Sequence, residues 1–276
     1  MENLTINTPA KINLGLNILR KRDDGYHDIE TFFYPINLFD TLTFSKSSTF
    51  EFSCDVQSLN NEKNLVVKAK NLLENELNIK VDAKINLVKR IPVGVGLGGG
   101  SSDAAATLLG INSLLNLNLE NQTMYKIASK VGADVPFFLD PKPCYAEGIG
   151  DILTPMECTS KYPILIIYPG IHISTTWSYA NVKPSQPLFS LRKLVEDCDI
   201  DFLFMENKIK NDFEEVAFRE FPIIKAIRDE LYKLGAMFSL MSGSGSSVYG
   251  IFPTMLKAEY AVENFKDRYF VFLHHE

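Results

Sequence analysis

A glycine-rich segment at residues 92–103 has the composition of a phosphate-binding loop. It reads Pro-Val-Gly-Val-Gly-Leu-Gly-Gly-Gly-Ser-Ser-Asp and holds five of the chain's 16 glycines. Because glycine has no Cβ, ligand atoms can approach such a backbone closely. The run that follows, Ala104–Leu109, consists mostly of alanine and leucine, which favour a helix. A bare loop at a helix N-terminus offers unpaired N–H groups and a positive dipole end, so the segment predicts phosphate binding.

Two widespread phosphate loops can be tested against this segment. A P-loop, G-x-x-x-x-G-K-[ST], is excluded because a glycine occupies the lysine position. The dinucleotide fingerprint G-x-G-x-x-G is matched by Gly94, Gly96 and Gly99, and Glu120 lies about 20 residues further on. That match is weak in so glycine-dense a segment, and Pro92 interrupts the strand that should precede it. A nicotinamide-dependent oxidoreductase therefore remains an alternative. A flexible linker is disfavoured, because the loop lies between a strand pattern and a helix pattern.

One cation lies inside the N-terminal strand pattern. The segment Pro9–Leu14 reads Pro-Ala-Lys-Ile-Asn-Leu, so Lys11 has apolar neighbours. Lys11 and Asn13 share one face of a strand, because side chains alternate with a period of two. A solvent-facing lysine is the interpretation that the period alone favours. A cation and an amide on one face would also suit a phosphate or a hydroxylated substrate.

A turn near the N-terminus presents two rings. The dipeptide Asp24-Gly25 is typical of turns, and Tyr26 and His27 follow it. An aromatic ring and an imidazole at this place could stack on a nucleobase and hydrogen-bond to it. A capped turn with surface aromatics is an equally good interpretation of these residues alone.

One carboxylate lies among apolar residues in Val131–Phe138, which reads Val-Gly-Ala-Asp-Val-Pro-Phe-Phe. A turn or a helix cap is the commonest role for an aspartate near glycine. A partly desolvated Asp134 could instead act as a general base. Pro136 blocks continuation of a helix and would hold Asp134 in a rigid turn.

A second run of small residues, Ser242–Ser247, lies between two strand patterns. A hairpin loop is the simplest interpretation. Tight hairpins need only about two or three loop residues. The longer run therefore predicts a second backbone-rich surface close to a ligand.

Composition restricts the classes of function. The 276 residues carry a formal net charge of −6, so we expect no nucleic-acid partner, because no basic excess is present. The longest apolar runs, such as Tyr162–Tyr168, are too short to span a bilayer, and residues 1–5 show no secretory signal. The four cysteines are scattered without a C-x-x-C pair, which predicts neither a zinc site nor a disulfide framework. We expect a cytoplasmic protein without a membrane partner.

Hydrophobic periodicity predicts a β-rich first part and a C-terminal half in which helices and strands alternate. Strands are predicted at Thr5–Asn17, Ile29–Leu38, Thr41–Phe44, Val81–Val88, Ile164–Tyr168, Ala236–Met241, Val248–Phe252 and Tyr269–Leu273. The segment Tyr145–Leu153 is also predicted to be extended, with a turn at Gly148–Gly150. Helices are predicted at Asn64–Leu77, Ser102–Leu115, Leu119–Val131, Leu191–Glu196, Asp212–Arg219, Pro222–Leu234 and Met255–Asp267. The pattern weakens around Met156–Tyr162, where we place a domain boundary.

Together, these segments resemble the kinase superfamily that includes galactokinase, homoserine kinase, mevalonate kinase and phosphomevalonate kinase. Its nucleotide loop, P-x-G-x-G-L-G-[GS]-G-[SA]-S, matches throughout from Pro92, and Ser242–Gly245 matches a second loop. Four further segments occur in the same order along the chain and narrow the resemblance to members whose acceptor carries a cytidine diphosphate group. They are Pro9–Leu14, Asp24–His27, Gly132–Phe138 and Ala146–Asp151.

The resemblance implies an α+β, two-domain fold. Residues 1–157 would form an N-terminal ATP-binding α/β domain with a left-handed β-α-β unit, an exception to the usual handedness. Residues 158–276 would form a ferredoxin-like α+β domain. The chain would act as a monomer or a weak homodimer.

The resemblance also implies a reaction. The γ-phosphoryl group of ATP would move to the 2-hydroxyl of a cytidine diphosphate-linked methylerythritol, in the non-mevalonate route to isoprenoid precursors. Mg²⁺ is expected with the ATP. Asp134 matches the base that accepts the hydroxyl proton, and Lys11 matches the cation that keeps this base ionised and stabilises the reacting oxygen.

The remaining site residues follow from the same resemblance. Asn13 would contact the substrate diphosphate or hydroxyls, Tyr26 and His27 would recognise cytosine, and Tyr179 would close on the base as a second aromatic. The loop that would bind ATP comprises Pro92, Val93, Gly94, Val95, Gly96, Leu97, Gly98, Gly99, Gly100, Ser101 and Ser102.

No metal ligand is predicted. Asp103 directly follows the loop, and we expect it to cap the helix rather than approach Mg²⁺ through water. Two further alternatives are a sibling kinase for another alcohol, which has no reason to carry Asp24–His27, and a non-catalytic nucleotide-binding module. The presence of both Lys11 and Asp134 argues against the latter.

Overall fold

A computed structural model describes residues 3–157, 160–192 and 208–275, which divide into two compact units. The first unit holds the described residues of Met1–Ala10, Leu38–Val93 and Gly98–Pro141. The second holds those of Lys11–Asn37, Gly94–Leu97 and Lys142–Glu276.

The described elements begin with three strands, and helices and strands both occur along the rest of the described chain. The strands are β1 (Leu4–Lys21), β2 (His27–Lys46), β3 (Glu51–Cys54), β4 (Ala83–Val88), β5 (Cys144–Glu147), β6 (Ile152–Pro155), β7 (Ile164–Tyr168), β8 (Phe238–Met241), β9 (Val248–Ile251) and β10 (Phe270–His274). The helices are α1 (Leu65–Leu77), α2 (Gly99–Leu114), α3 (Asn121–Val131), α4 (Thr175–Asn181), α5 (Glu214–Glu220), α6 (Pro222–Lys233) and α7 (Met255–Phe265), with short 3₁₀ helices at Gln57–Leu59 and Pro136–Leu139.

The first unit contains a β-α-β arrangement. Strands β3 and β4 pair in parallel, and α1 connects them. Strand β4 also pairs antiparallel with the C-terminal half of β2, with Leu42 opposite Leu87. Helix α1 begins where it does because the side chain of Asn64 accepts a hydrogen bond from the N–H of Val66 at 2.9 Å.

Helix α2 is buried in this unit on most of its surface. Its small residues Ala104, Ala105 and Ala106 are buried almost completely. At Gly110 the ring of Phe44 occupies the place that a Cβ would take, so the absence of a side chain lets the helix approach strand β2. This close approach fixes the helix whose first turn follows the glycine loop.

The second unit contains a four-stranded antiparallel sheet in the order β10-β7-β9-β8. Strands β5 and β6 form a hairpin, and β5 pairs with the N-terminal half of β2. The apolar faces of α6 and α7 contribute to one core cluster in this unit. Its buried helical members include Ile224, Ile227, Leu231, Ala258, Ala261 and Phe265.

Most predicted elements are confirmed, and the α+β class is correct. Strand Ile164–Tyr168 has the predicted bounds. The two predicted strands at 29–38 and 41–44 are a single strand, β2, because Asp40 is satisfied by hydrogen bonds and can be buried in it. Most of the predicted helix Leu191–Glu196 lies outside the described residues.

Two elements escaped prediction. Strand β3 has only four residues, too few for a clear period. Helix α4 contains Thr175, Thr176 and Trp177, which favour strands, but Ser174 caps its first turn by accepting a hydrogen bond from the N–H of Trp177.

Within the described ranges, none of the helices has both the length and the apolar character needed to cross a membrane. Cys54 and Cys144 are free and buried. Cys158 and Cys198 lie outside the described residues.

Candidate active site

Lys11 is buried in β1 and faces Asn13. The lysine is 4% exposed, and its Nζ donates to Asn13 Oδ1 at 2.6 Å. The same Nζ lies 4.9 Å from the ring centroid of Phe33, a cation–π distance. The prediction that Lys11 and Asn13 share a face is confirmed, whereas a solvent-facing lysine is wrong. Lys11 therefore brings a desolvated positive charge that an anionic ligand can use.

The middle of the glycine loop lies beside the same strand. The backbone N–H of Lys11 donates to the carbonyl of Leu97 at 2.9 Å. The hydroxyl of Ser242 donates to the carbonyl of Gly96 at 2.9 Å and accepts from the N–H of Asn13 at 3.2 Å. One hydroxyl thus connects strand β1, the glycine loop and the second small-residue loop.

The glycines let these two loops touch through their backbones. Gly96 has φ +84°, and a Cβ there would overlap the carbonyl oxygen of Ser242. A Cβ on Gly243 would lie 3.2 Å from the carbonyl oxygen of Gly96. The N–H of Ser247 donates to the carbonyl of Val95 at 3.1 Å. The small residues at 242–247 therefore allow the backbone of this segment to contact the glycine loop.

His172 is a contact of the glycine loop that sequence reasoning missed. Its Nδ1 lies 3.1 Å from the carbonyl oxygen of Gly94, and since a carbonyl only accepts, Nδ1 carries the hydrogen. The imidazole occupies the place that a Cβ on Gly94 would take. The sequence offered no signal, because His172 lies in a connection without a motif.

On the first unit, helix α2 begins at Gly99 after the loop turns through Gly98. Gly98 is the N-cap residue, with φ +73°, and contributes no side chain to the cap. The first turn of a helix has N–H groups without intrahelical acceptors. In α2 these are the N–H groups of residues 99–101, since Ser102 N–H donates to Gly98 O at 2.9 Å. Their direction and the helix dipole suit a phosphate.

Ser102 also holds the helix to the N-terminal strand. Its Oγ donates to the carbonyl of Pro9 at 2.6 Å, and Thr8 Oγ1 bonds to the backbone and side chain of Ser102. The serine is fully buried. Both its N–H and its hydroxyl therefore have protein partners.

Asp103 does not cap the helix, and that expectation is wrong. The helix begins earlier, at Gly99, because the left-handed conformation of Gly98 starts it. Asp103 consequently lies within the helix, where its Oδ2 accepts from Lys89 Nζ at 2.7 Å.

Asp134 lies in a turn, as predicted. Helix α3 ends at Val131, and the N–H of Val135 donates to the carbonyl of Gly132 at 3.2 Å. Pro136 then begins a 3₁₀ helix whose first three residues are buried and anchor the turn. The carboxylate is half-buried. Asp134 and Lys11 belong to different units, and their joint catalytic role remains a prediction.

The aromatic residues divide into a stacked pair and an exposed ring. His27 and Tyr179 stack with centroids 5.0 Å apart and planes inclined by 28°, and Phe213 meets Tyr179 edge to face. Tyr26 is 58% exposed at the turn that Gly25 makes with φ +88°. The structure thus brings together two of the three rings predicted to recognise a base.

Burial and the nearby charge of Lys21 lower the pKa of His27. The imidazole is therefore neutral near pH 7, with one ring nitrogen that donates and one that accepts. A neutral donor–acceptor pair suits the edge of an uncharged base.

Among the described residues, no group of three or more His, Cys, Asp or Glu side chains could hold a metal ion.

Two family models match the chain. The model for the GHMP kinases N terminal domain covers residues 64–140, and the model for the GHMP kinases C terminal covers residues 198–270. The first match begins at the N-cap of α1 and includes the glycine loop and Asp134.

Named relatives match nearly the whole chain. A 4-diphosphocytidyl-2-C-methyl-D-erythritol kinase from Chlorobium phaeobacteroides is 40% identical over 275 residues, covering 98% of this chain and 96% of the relative. The kinase of the same name from Bacteroides fragilis is 43% identical over 250 residues, covering 88% and 90%.

Solved structures agree. A crystal structure of 4-(cytidine 5'-diphospho)-2C-methyl-D-erythritol kinase matches with TM-score 0.84 and 33% identity, covering 98% of each chain. Homoserine kinase from Cytophaga hutchinsonii shares the fold at TM-score 0.76 with 17% identity, covering 99% of this chain and 95% of that one. These similarities remove the nicotinamide oxidoreductase alternative. The chain belongs to the 4-diphosphocytidyl-2-C-methyl-D-erythritol kinase family, a branch of the GHMP kinases.

Proposed function

We propose that the chain transfers the γ-phosphoryl group of ATP to the 2-hydroxyl of 4-diphosphocytidyl-2-C-methyl-D-erythritol. The reaction belongs to the non-mevalonate route to isoprenoid precursors. Support comes from relatives of that name at about 40% identity over nearly the full length. The sibling substrates homoserine and mevalonate belong to neighbours of much lower identity, such as 17% for a homoserine kinase.

One structural observation carries the proposal best. Lys11 is a buried cation on β1, and its own backbone N–H bonds to the glycine loop at Leu97. The loop lacks the lysine that a P-loop would contribute, so a phosphate bound there needs a cation from another segment. We assign this role to Lys11.

The loop itself fits a polyphosphate. Its left-handed residues Gly94, Gly96 and Gly98 bring bare backbone to the start of α2. We assign ATP binding to the whole segment 92–102, with the N–H groups of residues 99–101 as the main donors. Ser102 contributes by fixing the helix, since its own polar groups bond to Gly98 and Pro9.

The chemical step needs a base, alignment and charge neutralisation. We assign the base to Asp134, whose carboxylate takes the proton of the acceptor hydroxyl. The acceptor oxygen then bonds to the γ-phosphorus, the bond from that phosphorus to the bridging oxygen breaks, and ADP leaves. Lys11 stabilises the negative charge that spreads over the reacting oxygens.

Mg²⁺ belongs to this proposal as part of the nucleotide complex. The described residues offer no three-ligand cluster, and Mg²⁺ commonly keeps water and phosphate ligands with few protein ones. Bound to ATP, it would neutralise the phosphate charges. The protein's own contribution is the loop, the helix N-terminus and Lys11.

Acceptor recognition is assigned to four residues. His27 and Tyr179 provide the stacked surface for cytosine, and exposed Tyr26 covers the base from the adjoining turn. Asn13 is assigned to the diphosphate or hydroxyls of the acceptor. Its side-chain amide is bonded to the ammonium of Lys11, the cation that we assign to the reacting oxygens.

The organisation follows the family. We assign ATP binding to residues 1–157 and the C-terminal GHMP kinase domain to residues 158–276, ranges that contain the two family matches. We expect a cytoplasmic monomer or weak homodimer, and the free buried thiols of Cys54 and Cys144 are consistent with a reducing compartment.

The test measures ADP release by the pure protein with ATP, Mg²⁺ and the cytidylated methylerythritol. Mevalonate and homoserine serve as competing acceptors. We expect turnover only with the cytidylated acceptor. Turnover no higher than that of heat-inactivated protein would overturn the proposal, and turnover with another alcohol would reassign the substrate.

The variant Asp134→Asn tests the base. We expect kcat to fall at least about a hundredfold while the Kd for ATP stays within twofold, because the amide accepts no proton. Asp140→Asn is the matched control, because Asp140 is an exposed aspartate at the C-terminal end of the 3₁₀ helix that follows Asp134. Full activity of Asp134→Asn would remove Asp134 from the base role.

A further inference from the structure

Three charged side chains form a buried network in the first unit. Lys89 follows strand β4 and leads towards the glycine loop. Its Nζ donates to Asp103 Oδ2 at 2.7 Å and to Asp40 Oδ2. All three side chains are at most 4% exposed. The network lies outside every segment that the sequence analysis assigned to catalysis or substrate.

Asp40 fixes the backbone that enters the loop. Its Oδ1 accepts from the N–H of Arg90 at 2.6 Å and from the N–H of Ile91 at 2.9 Å. Asp40 itself belongs to strand β2, which is a rigid support. The last residues before the loop are thereby attached to the sheet.

The residues that leave the loop are attached to the same place. Asp103 lies in helix α2 and accepts from Lys89. A Cβ on Gly99 would lie 2.9 Å from Ile91 Cγ2 and 3.2 Å from Lys89 Nζ, so the helix start packs closely on the entering segment. Residues 89–91 and 99–103 are therefore held together across the base of the loop.

Stability alone explains this network poorly. Burial lowers the pKa of Lys89, but Asp103 and Asp40 outweigh it, so the lysine stays charged. Burial raises the pKa of Asp103 against the pull of Lys89. Within the described residues, Asp103 Oδ1 is buried without a hydrogen-bond partner. Buried ion networks of this kind add little net stability compared with apolar residues of similar size.

We propose that Asp40, Lys89 and Asp103 form a clasp that fixes the span of the phosphate-binding loop between Ile91 and Gly99. The inference rests on the proposed ATP-dependent function. The segment between Ile91 and Gly99 contains Gly94, Gly96 and Gly98, and such a segment has many conformations when its ends are free. A fixed span removes much of this freedom before ATP arrives, so less binding energy is spent on ordering the loop. The three residues are positioning residues, because they act on ATP through the loop.

The test compares Lys89→Met with Lys70→Met. Lys70 pairs with Glu74 at 2.8 Å, is also largely buried in the first unit, and belongs to helix α1, where its other contacts are Asn71 and the ring of Phe50. For Lys89→Met we expect the Kd for ATP to rise about tenfold or more, with the KM for the acceptor within twofold. For Lys70→Met we expect stability to fall while the Kd for ATP stays within twofold.

Amide hydrogen exchange adds a readout that a general loss of stability does not give. Residues 93–98 should exchange faster in Lys89→Met than in Lys70→Met at equal stability. Should Lys89→Met fail to fold, the isosteric Asp103→Asn takes its place. For that variant we expect the Kd for ATP to rise by more than about twofold, and therefore by more than in Lys70→Met, with the same faster exchange of the loop amides.

Two results would overturn the clasp. One is a folded Lys89→Met, or Asp103→Asn in its place, with wild-type ATP affinity. The other is an equal loss of ATP affinity in the Lys70→Met control. These measurements of ATP binding do not need the acceptor, so a failure of the clasp can be distinguished from a failure of the proposed acceptor. If the wild-type protein shows no turnover, that result counts against the proposed acceptor and not against the clasp.

Discussion

The imidazole of His27 lies on the ring of Tyr179, with centroids 5.0 Å apart. Inserting a base between two rings needs about 3.5 Å of contact distance on each side. The pair is therefore too close to admit cytosine between its members. If these rings recognise the base as proposed, it stacks on an outer face, or the two rings separate when the acceptor binds.

Tyr179→Ala should raise the KM for the cytidylated acceptor. Stacking of a base on an aromatic ring contributes about 1–3 kcal/mol, which corresponds to a rise of roughly 5- to 150-fold. The KM for ATP should stay within twofold. Steady-state kinetics with each substrate varied in turn measures both values.

Tyr260→Ala is the control for that variant, because Tyr260 is a tyrosine exposed on helix α7. An unchanged acceptor KM in Tyr179→Ala would show that the base binds elsewhere.

Gly96→Ala should lose ATP binding and stability together. The residue combines φ +84° with a carbonyl oxygen of Ser242 in the place of a Cβ. Left-handed backbone alone costs an alanine about 1–2 kcal/mol, and the overlap must push the two loops apart as well. Urea denaturation and ATP calorimetry measure the two effects.

Gly170→Ala separates the cost of left-handed backbone from the effect of the overlap with Ser242. Gly170 has φ +79°, but a Cβ there would have no atom within 4 Å. This control should show the conformational cost with normal ATP binding. Equal behaviour of the two variants would contradict a role for the loop–loop contact.

Glu214→Gln should change the dependence of stability on pH. Glu214 is buried, accepts from the N–H of Met241 at 2.8 Å and pairs with Arg228. Burial raises the pKa of Glu214 from 4.5 to about 7, against the opposing effects of Met241 and Arg228. A group whose pKa is higher in the folded state favours folding at low pH, and that contribution disappears as pH rises through about 7.

The wild type should therefore lose stability relative to Glu214→Gln between about pH 4.5 and 7, by at most about 3 kcal/mol. The glutamine keeps an acceptor for Met241 but does not titrate. Urea unfolding at several pH values, with exposed Glu215→Gln as the control, measures the difference. Parallel pH profiles for wild type and Glu214→Gln would contradict the prediction.

His172→Ala should weaken ATP binding by a modest factor. The hydrogen bond from Nδ1 to Gly94 O holds the exposed first turn of the glycine loop. Bonds of this kind contribute about 0.5–1.5 kcal/mol, so the Kd for ATP should rise about two- to tenfold. Calorimetry checks this, with His275→Ala as the control at the exposed C-terminal end. A Kd equal to that of the wild type would show that the contact does not order the loop.

The sequence was informative where chemistry is local. The glycine pattern predicted a loop before a helix because glycine conformations and alanine propensities act over a few residues. The helix begins three residues earlier than the predicted Ser102, since the left-handed turn at Gly98 starts it. Strand β7 was predicted within its bounds because its five apolar residues end at a Pro-Gly turn.

The placement of polar residues could not be predicted in the same way. Lys11 alternates as a surface residue would, yet it is 4% exposed. Asp40 is a charged residue between two apolar strand patterns, so the sequence predicts a break there. It nevertheless lies buried within β2, because its carboxylate accepts hydrogen bonds from two distant N–H groups and pairs with Lys89. No local rule reports partners that are about 50 residues away along the chain.

The sequence by itself determined the family, the glycine loop and the residue types of the segments that we propose for catalysis and base recognition, because motif order and spacing are properties of the chain. Only the tertiary structure decided that His27 meets Tyr179, that Ser242 joins Gly96 to Asn13, and that Asp103 binds Lys89 instead of capping its helix. The physical reason is that burial makes each polar group find a partner, and the partner is set by which segments the fold brings into contact.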